Sequence, residues 1–497
     1  MGGIRKQAII SGMLLYTGFL IGAINIYLYT KNGAFTEQQY GLTRLFFDFA
    51  QNIYAFGALG SISVLYKFYP HYKALLPKEK NDLLTWVLVA SFVGFCLVFL
   101  SGIIFEPLIV KKFSRGSQLF VQYYYWVFPF GFGLLFFSVL EGFCWVLKDT
   151  VFPNFLRETA LRLFTTVIIA LYYAGFVGFK GFITLFSCLY LLVFVILLIY
   201  LIKRKQFFLC FTISRPTQKF WKKMLWMQIL MFSGTVIQAL SSTLDGIIMA
   251  SVKTIELAGI LTLAQYMANL VQVPQRSLQA ISIGVIAQAW KDKNYAEIQR
   301  VYSRSSINML LASMFIFGNI VLNAADVIVL TGVKTSFLAG LEAMVIFGIC
   351  RIIDAGTGVN GAVIVTSSYW RFDFFSGMIL LVLIAPTNYF FIKNFGMTGA
   401  AYAQLLSMIV YNFIRWEFLR RKFNMQPFTI KTVYSLLLCF IALTLAYFIG
   451  KISSGWTTIF LRSLLFSLLM IGGVFYFKLT PDALQLWDKW KTKLPGK

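Results

Sequence analysis

The sequence predicts an all-α polytopic membrane protein of about fourteen transmembrane helices, arranged as two pseudo-symmetric six-helix lobes plus two C-terminal helices. Three observations carry this. Apolar residues make up 59% of the 497 and charged residues only 13%, against roughly 25% charged in a soluble domain. The apolar runs are about 20 residues long or more and do not alternate, so they read as helices and not as barrel strands. Three glycines also recur at one spacing: Gly41 with Gly259, Gly178 with Gly396 and Gly181 with Gly399, each 218 residues apart, where a polar loop gives way to an apolar run.

The expected spans, in order, are 8–30, 41–66, 83–105, 119–146, 159–177, 180–202, 224–251, 259–287, 305–329, 338–365, 374–392, 399–420, 432–450 and 458–477. The first follows Gly3-Ile4-Arg5-Lys6. It is too long for a signal-peptide core and no small-residue cleavage site follows, so it reads as a retained span. Gly178-Phe179-Lys180-Gly181 opens the sixth span and Gly396-Met397-Thr398-Gly399 the twelfth, which sets spans one to six against seven to twelve. Six spans return the chain to its starting side, so the repeats run parallel about an axis along the membrane normal. Pro129, Pro274 and Pro386 predict bends. The resulting organisation is an N-lobe at 1–205, a basic cytoplasmic linker at 206–223, a C-lobe at 224–425, two further spans at 426–480 and a basic tail at 481–497.

Charge sets the orientation. With the N-terminus inside, about 31 basic residues fall on the inner side, about 9 on the outer side and about 4 within spans. The inner loops are Lys67 to Lys80, Lys203-Arg204-Lys205 through Lys222-Lys223, Lys291 to Arg304, and Arg420-Arg421-Lys422. Both termini are therefore expected in the cytoplasm. The outer loop with Lys111, Lys112 and Arg115 runs against this pattern. The net charge of +25 reflects topology and attraction to anionic membrane lipids, not nucleic-acid binding. In the tail, Leu484, Leu486, Trp487 and Trp490 stand among lysines, as in an amphipathic surface helix.

Several chemistries are excluded. No Walker motif is present, so the chain does not hydrolyse ATP. The six cysteines form no CxxC pair, and His71 is the only histidine, so no metal site or catalytic triad is expected and no cofactor is implied. The extramembrane loops are short, which places the working surface within the membrane and argues against an enzyme.

A charge in hydrocarbon costs roughly 2.5–3.5 kcal/mol on insertion scales, so intramembrane charges are functional candidates. Arg44 and Asp48 stand four apart, on one helical face, with Gln51 and Asn52 just beyond. Arg351 and Asp354 are three apart, followed by Asn360. Each Arg/Asp set either neutralises itself or serves a ligand. Arg276 has no acidic neighbour within a turn. A guanidinium so placed suits an anionic ligand such as phosphate, which it binds bidentately. Asp245 and Glu141, near span ends, are further acidic candidates.

The residues also carry a family resemblance. Phe35-Thr36-Glu37-Gln38-Gln39-Tyr40-Gly41 resembles the acidic-x-x-Tyr-Gly turn of bacterial polysaccharide-unit (O-antigen and capsule) flippases. Asp245, Gly259 and Ala287-Gln288-Ala289-Trp290, with Ile298 and Tyr302, are similar to the start of their second lobe. Gly358-Val359-Asn360-Gly361, then Gly396-Met397-Thr398-Gly399-Ala400-Ala401 with Ser407, and Gln426-Pro427-Phe428, resemble their C-terminal region. That family belongs to the multidrug/oligosaccharidyl-lipid/polysaccharide (MOP) exporter superfamily, with a MATE-like fold.

The resemblance implies alternating access between two six-helix lobes and transfer of an undecaprenyl-diphosphate-linked oligosaccharide across the bacterial inner membrane. It implies that Arg44, Arg276 and Arg351, with Gln51, Asn52 and Asn360, meet diphosphate and sugar. Asp48, Asp245, Asp354 and Glu141 would couple to an H⁺ or Na⁺ gradient, and the last two spans would shelter the lipid tail. Glycosyltransferases and a glycan polymerase would be partners, in O-antigen (lipopolysaccharide), capsule or exopolysaccharide synthesis. Peptidoglycan-precursor flippases carry a charged cluster in span one, where this chain offers Asn25. A MATE-like multidrug or cation antiporter, and a non-transporting scaffold for glycan-assembly enzymes, are the alternatives.

Overall fold

The computed structural model describes residues 2–33, 35–369, 371–449 and 455–482, leaving aside the side chains of 2–13, 15, 16, 276, 277, 280, 281 and 449. The tail from 483 onward, with its expected surface helix, lies outside the described residues, as does the side chain of Arg276. The described chain is helical and contains no strand. Nine of its helical segments are long and apolar enough to cross a bilayer. The chain is thus a multi-pass membrane protein.

The helices are α1 Gly2–Thr30, α2 Glu37–Gly57, α3 Ser61–Leu75, α4 Leu83–Ile104, α5 Glu106–Phe113, α6 Val127–Val146, α7 Leu161–Tyr173, α8 Phe179–Ser187, α9 Leu189–Lys203, α10 Arg215–Val252, α11 Ile255–Leu270, α12 Val273–Lys291, α13 Tyr295–Leu330, α14 Leu341–Gly356, α15 Asn360–Thr366, α16 Arg371–Phe423, α17 Ile430–Ile449 and α18 Trp456–Tyr476. Short turns lie between some of them.

Several expected spans are interrupted. Span 41–66 is two helices, because the chain turns through left-handed geometry at Leu59 and Gly60. A Cβ at Gly60 would strike the Gln228 carbonyl of α10, so only glycine serves at that crossing. Span 259–287 breaks before Pro274, which lies in the first turn of α12 and needs no amide donor there. Span 338–365 breaks at Gly358, with φ of 66°. Spans 374–392 and 399–420 run together as α16, with one non-helical residue, Gly396, between them. Conversely, α10 begins at Arg215, so the expected linker at 206–223 is non-helical only up to Ser214. That residue caps the helix and Pro216 follows in its first turn. In the loop expected outside, Lys111 and Lys112 occupy the last turn of α5, where the helix dipole favours cations.

Packing divides the chain into two units, Met1–Gly259 and Ile260–Lys497. In the first, α2 packs on α4, α6 and α10, and α6 on α9. Aromatic rings fill its interior: Phe130 stacks on Phe186 at 5.2 Å between centroids, and Phe35 meets Phe182 at 5.0 Å. The glycine echo has a physical meaning here. A Cβ at Gly259 would meet the Gly41 backbone, and one at Gly41 would collide with the Ile255 carbonyl. Two repeat-related glycines thus face each other and let α2 and the start of α11 approach closely.

In the second unit, α14 packs on α16 and α13, and α17 and α18 pair with each other and lie on α13. Phe466 of α18 is fully buried and fills the space left by Gly318 of α13. The two extra helices are therefore an integral part of this unit.

Candidate functional site

Polar groups gather at three places, each within one unit. In the first unit, Arg44, Asp48 and Asn52 follow one another at four-residue steps along α2 and so share a face. Asn52 donates from its amide to the Asp48 carbonyl at 2.8 Å and reaches Thr243 Oγ1 on α10 at 2.8 Å. Asp48 Oδ2 lies where a side chain at Gly246 would stand. The carboxylate is within electrostatic reach of both Arg44 and buried Asp245. Arg44 and Asp48 make no ion pair with each other among the described residues. Among the described residues Asp48 has no side-chain hydrogen bond, and the Arg44 guanidinium instead lies 5.6 Å from the Phe47 ring. One helical turn brings two side chains onto one face but leaves their rotamers open, and Phe47 and Gly246 offer each its own niche. Gln51 is half-buried on the same helix.

The second place joins α6 to the turn before α7. Glu141, buried, accepts from Arg157 Nη1 at 2.5 Å. Arg157 belongs to a π-helical turn, Phe155–Ala160. Glu158 of that turn pairs with Arg162 at 3.1 Å. Arg162 in turn lies along Gly18 and Gly22 of α1 and 5.4 Å from the Phe19 ring. Asn25 of α1 donates to the Arg162 carbonyl at 2.8 Å and accepts from Thr166 at 2.6 Å. Charge missing from span one is thus supplied by its neighbour. Sequence reading places Arg157, Glu158 and Arg162 at the edge of span five and misses them as candidates. Their signal is the Arg-Glu-x-x-x-Arg spacing, which puts all three close together once the turn becomes helical.

The third place is in the second unit. Asp354 accepts from Gln275 Nε2 at 2.8 Å, from Gln272 Nε2 at 3.3 Å and from Asn412 Nδ2 at 3.3 Å. Asn412 Oδ1 in turn accepts from Thr357 at 2.9 Å and Asn360 at 3.1 Å. Gln275, Thr357, Asn360 and Asn412 are all buried. No Arg351–Asp354 ion pair is found among the described residues; the carboxylate is held by amides from the start of α12 and from α16. A carboxylate with neutral donors on several sides can take a proton or a cation without breaking an ion pair.

One turn beyond Asn412, Arg415 is buried and pairs with Asp373, donates to Ser376 Oγ at 3.2 Å and lies 4.2 Å from the Tyr411 ring. Gly361 leaves room for its guanidinium. Sequence reading misses Arg415 as well. Its signal is a lone cation inside the apolar run at 399–420. Arg351 is half-buried on α14, one turn before Asp354.

The chain matches no protein-family model and no curated protein by sequence. Its fold, however, is that of known structures. It is similar to the lipid II flippase MurJ in an inward closed conformation, with a TM-score of 0.73 and 15% identity over 95% of this chain and 99% of the flippase. It is also similar to a multidrug resistance MATE family transporter of the MOP superfamily. The inward-facing conformation of that family gives a TM-score of 0.63 at 14% identity, over 84% of this chain and 99% of the transporter. The outward-facing one gives 0.55 at 15% identity, over 84% and 96%.

Proposed function

From this shared fold we propose that the chain is a transporter of the MOP type, which moves an undecaprenyl-diphosphate-linked oligosaccharide across the bacterial inner membrane by alternating access. The observation that carries the reading is the extent of the match. The flippase accounts for 95% of the chain, whereas the MATE transporter, itself covered to 99%, accounts for 84%. The chain therefore contains more than a MATE transporter does, which agrees with two C-terminal helices beyond twelve. A lipid-linked cargo gives such helices something to do, namely to shield an apolar tail.

In this reading Arg44, Arg276 and Arg351 meet the diphosphate and first sugars. Gln51, Asn52 and Asn360 supply neutral hydrogen bonds. Asp48 and Asp354, with Asp245, take up H⁺ or Na⁺. Glu141, already paired with Arg157, couples only by exchanging that partner. The polar content of span one, Asn25 bound to the helix beside it, favours a polysaccharide unit over lipid II. The protein would work beside glycosyltransferases and a polymerase of O-antigen, capsule or exopolysaccharide synthesis.

The test is deletion of the gene, followed by labelling of lipid-linked repeat units on each leaflet. Accumulation on the inner leaflet and loss of surface glycan is the expected result. Normal surface glycan, in a cell with no second flippase, would overturn the proposal. A MATE-like cation antiporter is the second reading, favoured by the Asp48 carboxylate, which makes no ion pair or side-chain hydrogen bond among the described residues. It requires dye efflux from vesicles containing the protein.

A further inference from the structure

The linker between α9 and α10 holds a sequence that transport does not explain. Basic Lys203-Arg204-Lys205 is followed by Phe207-Phe208-Leu209-Cys210-Phe211. Five apolar residues in a non-helical stretch are out of place in a cytoplasmic loop. This stretch is nevertheless fixed. The Cys210 amide donates to Thr85 Oγ1 at 2.9 Å, and the Ser214 amide donates to the fully buried Asp82 at 2.9 Å. The linker is thereby tied along the start of α4, with Leu209 and Phe211 left 52% and 67% exposed.

Two cavities of the first unit flank this stretch. One, of about 360 Å³, has mixed walls, with Lys73, Lys78, Asn81, Asp149 and Arg204 beside apolar residues such as Leu147 and Leu201. Arg204 is engaged with Asp149 at 2.8 Å. Lys73 and Lys78 are exposed and make no ion pair among the described residues. The cavity thus has two cations to spare. The other, of about 310 Å³, is walled by apolar side chains such as Leu88, Phe92, Phe132, Phe136, Phe194 and Leu209. Its one polar wall residue, Thr85, is already bonded to Cys210. Phe92 is 52% exposed, so this trough opens sideways from the helices.

The two cavities are in register. Asn81 and Thr85, Leu147 and Leu140, and Leu201 and Leu198 pair a residue of the first cavity with a trough residue on the same stretch of chain. At 1.5 Å per helical residue these steps are roughly 5–10 Å. A cationic cup therefore stands at the helix ends, and an apolar trough begins one to two turns deeper along the same walls.

We propose that the cup and trough bind one anionic phospholipid of the inner leaflet, with its phosphate at Lys73 and Lys78 and an acyl chain along the trough. The charge complementarity selects an anionic headgroup. The apolar trough selects hydrocarbon. The apolar stretch at 207–211 forms the wall that keeps the acyl chain in place. This inference does not depend on what the protein transports.

The experiment uses the full chain purified in detergent, incubated with phosphatidylglycerol, phosphatidylcholine, undecaprenyl phosphate or inorganic phosphate, with retained lipid read by native mass spectrometry and the thermal midpoint alongside. Phosphatidylglycerol is expected to be retained and to raise the midpoint; phosphatidylcholine and inorganic phosphate are not. The exposed pair Lys73→Gln with Lys78→Gln should weaken phosphatidylglycerol retention roughly thirtyfold. Val89→Trp, which fills the trough, should weaken it without changing charge. Leu209→Ser, at an exposed position, does the same should the tryptophan variant misfold. Equal retention of phosphatidylcholine, a full effect from inorganic phosphate, retention of undecaprenyl phosphate alone, or lysine variants that bind as the parent does would each overturn the proposal.

Discussion

Asp373 and Arg415 illustrate how burial decides the cost of a charge. The Arg415 side chain is 9% exposed and the Asp373 side chain 34%. Removing the carboxylate strands a buried cation, whereas removing the arginine leaves a carboxylate that water can still reach. Asp373→Ala should therefore destabilise the protein by about 3–5 kcal/mol, and Arg415→Met by clearly less. Thermal denaturation of both variants in detergent checks the asymmetry. Asp354 obeys a different rule, because the partners described for it are all neutral donors. Asp354→Asn places an amide group among amide groups and should cost about 1–3 kcal/mol, with transport lost if the carboxylate carries the coupling ion. A variant as stable as the parent would show that the cage rearranges freely.

The linker behaves as part of α10 and not as a free hinge. Asp82 Oδ2 accepts from the Ser214 amide, from Thr217 Oγ1 at 2.7 Å and from Trp86 Nε1 at 3.2 Å. Tyr72 joins through Thr217 at 2.7 Å. Thr217 has one hydroxyl proton and gives it to Asp82, so Tyr72 donates to Thr217. Burial pushes the Tyr72 phenol up to about 12, so it keeps that proton at neutral pH. Asp82→Ala removes the shared acceptor and should release the segment at 203–215. Faster trypsin cleavage at Arg204 or Lys205 would report this, and an unchanged digestion pattern would count against the latch. Gly60 makes the complementary case. Gly60→Ala must adopt left-handed geometry at roughly 1–2 kcal/mol and also strike the Gln228 carbonyl, so it should lower the thermal midpoint.

Considered as a whole, the molecule separates structural charges from available ones. Glu141, Glu158, Asp326 and Asp373 are each in an ion pair. Arg44 makes neither an ion pair nor a hydrogen bond among the described residues and lies against the Phe47 ring. Arg44→Ala should therefore leave the thermal midpoint nearly unchanged while, under the proposed function, lowering flipping of a lipid-linked oligosaccharide in proteoliposomes by roughly tenfold or more. A variant that transports normally would remove Arg44 from the cargo path. The pattern also ties α18 to α13, where Arg462 pairs with Asp326 and donates to the Leu322 carbonyl at 3.0 Å, and Asn323 donates to Ser463 at 2.9 Å.

The sequence by itself determined the class of molecule. Composition and run length force helices in lipid, because no other backbone arrangement of such runs satisfies its hydrogen bonds there. The glycine spacing marked matched positions: Gly41 and Gly259 touch, while Gly178 caps α8 and Gly396 interrupts α16. Charge within apolar runs pointed to Asp48 and Asp354. Partner choice was not legible. Helical periodicity ranks neighbours within a turn, and so it grouped Arg44 with Asp48 and Arg351 with Asp354 without deciding whether they pair. In the folded chain Asp354 is held from 79 and 58 residues away, by Gln275 and Asn412, and Arg415 finds Asp373 at 42. In hydrocarbon a polar group takes whichever donor or acceptor the packing brings within reach, and only the tertiary structure decides which that is.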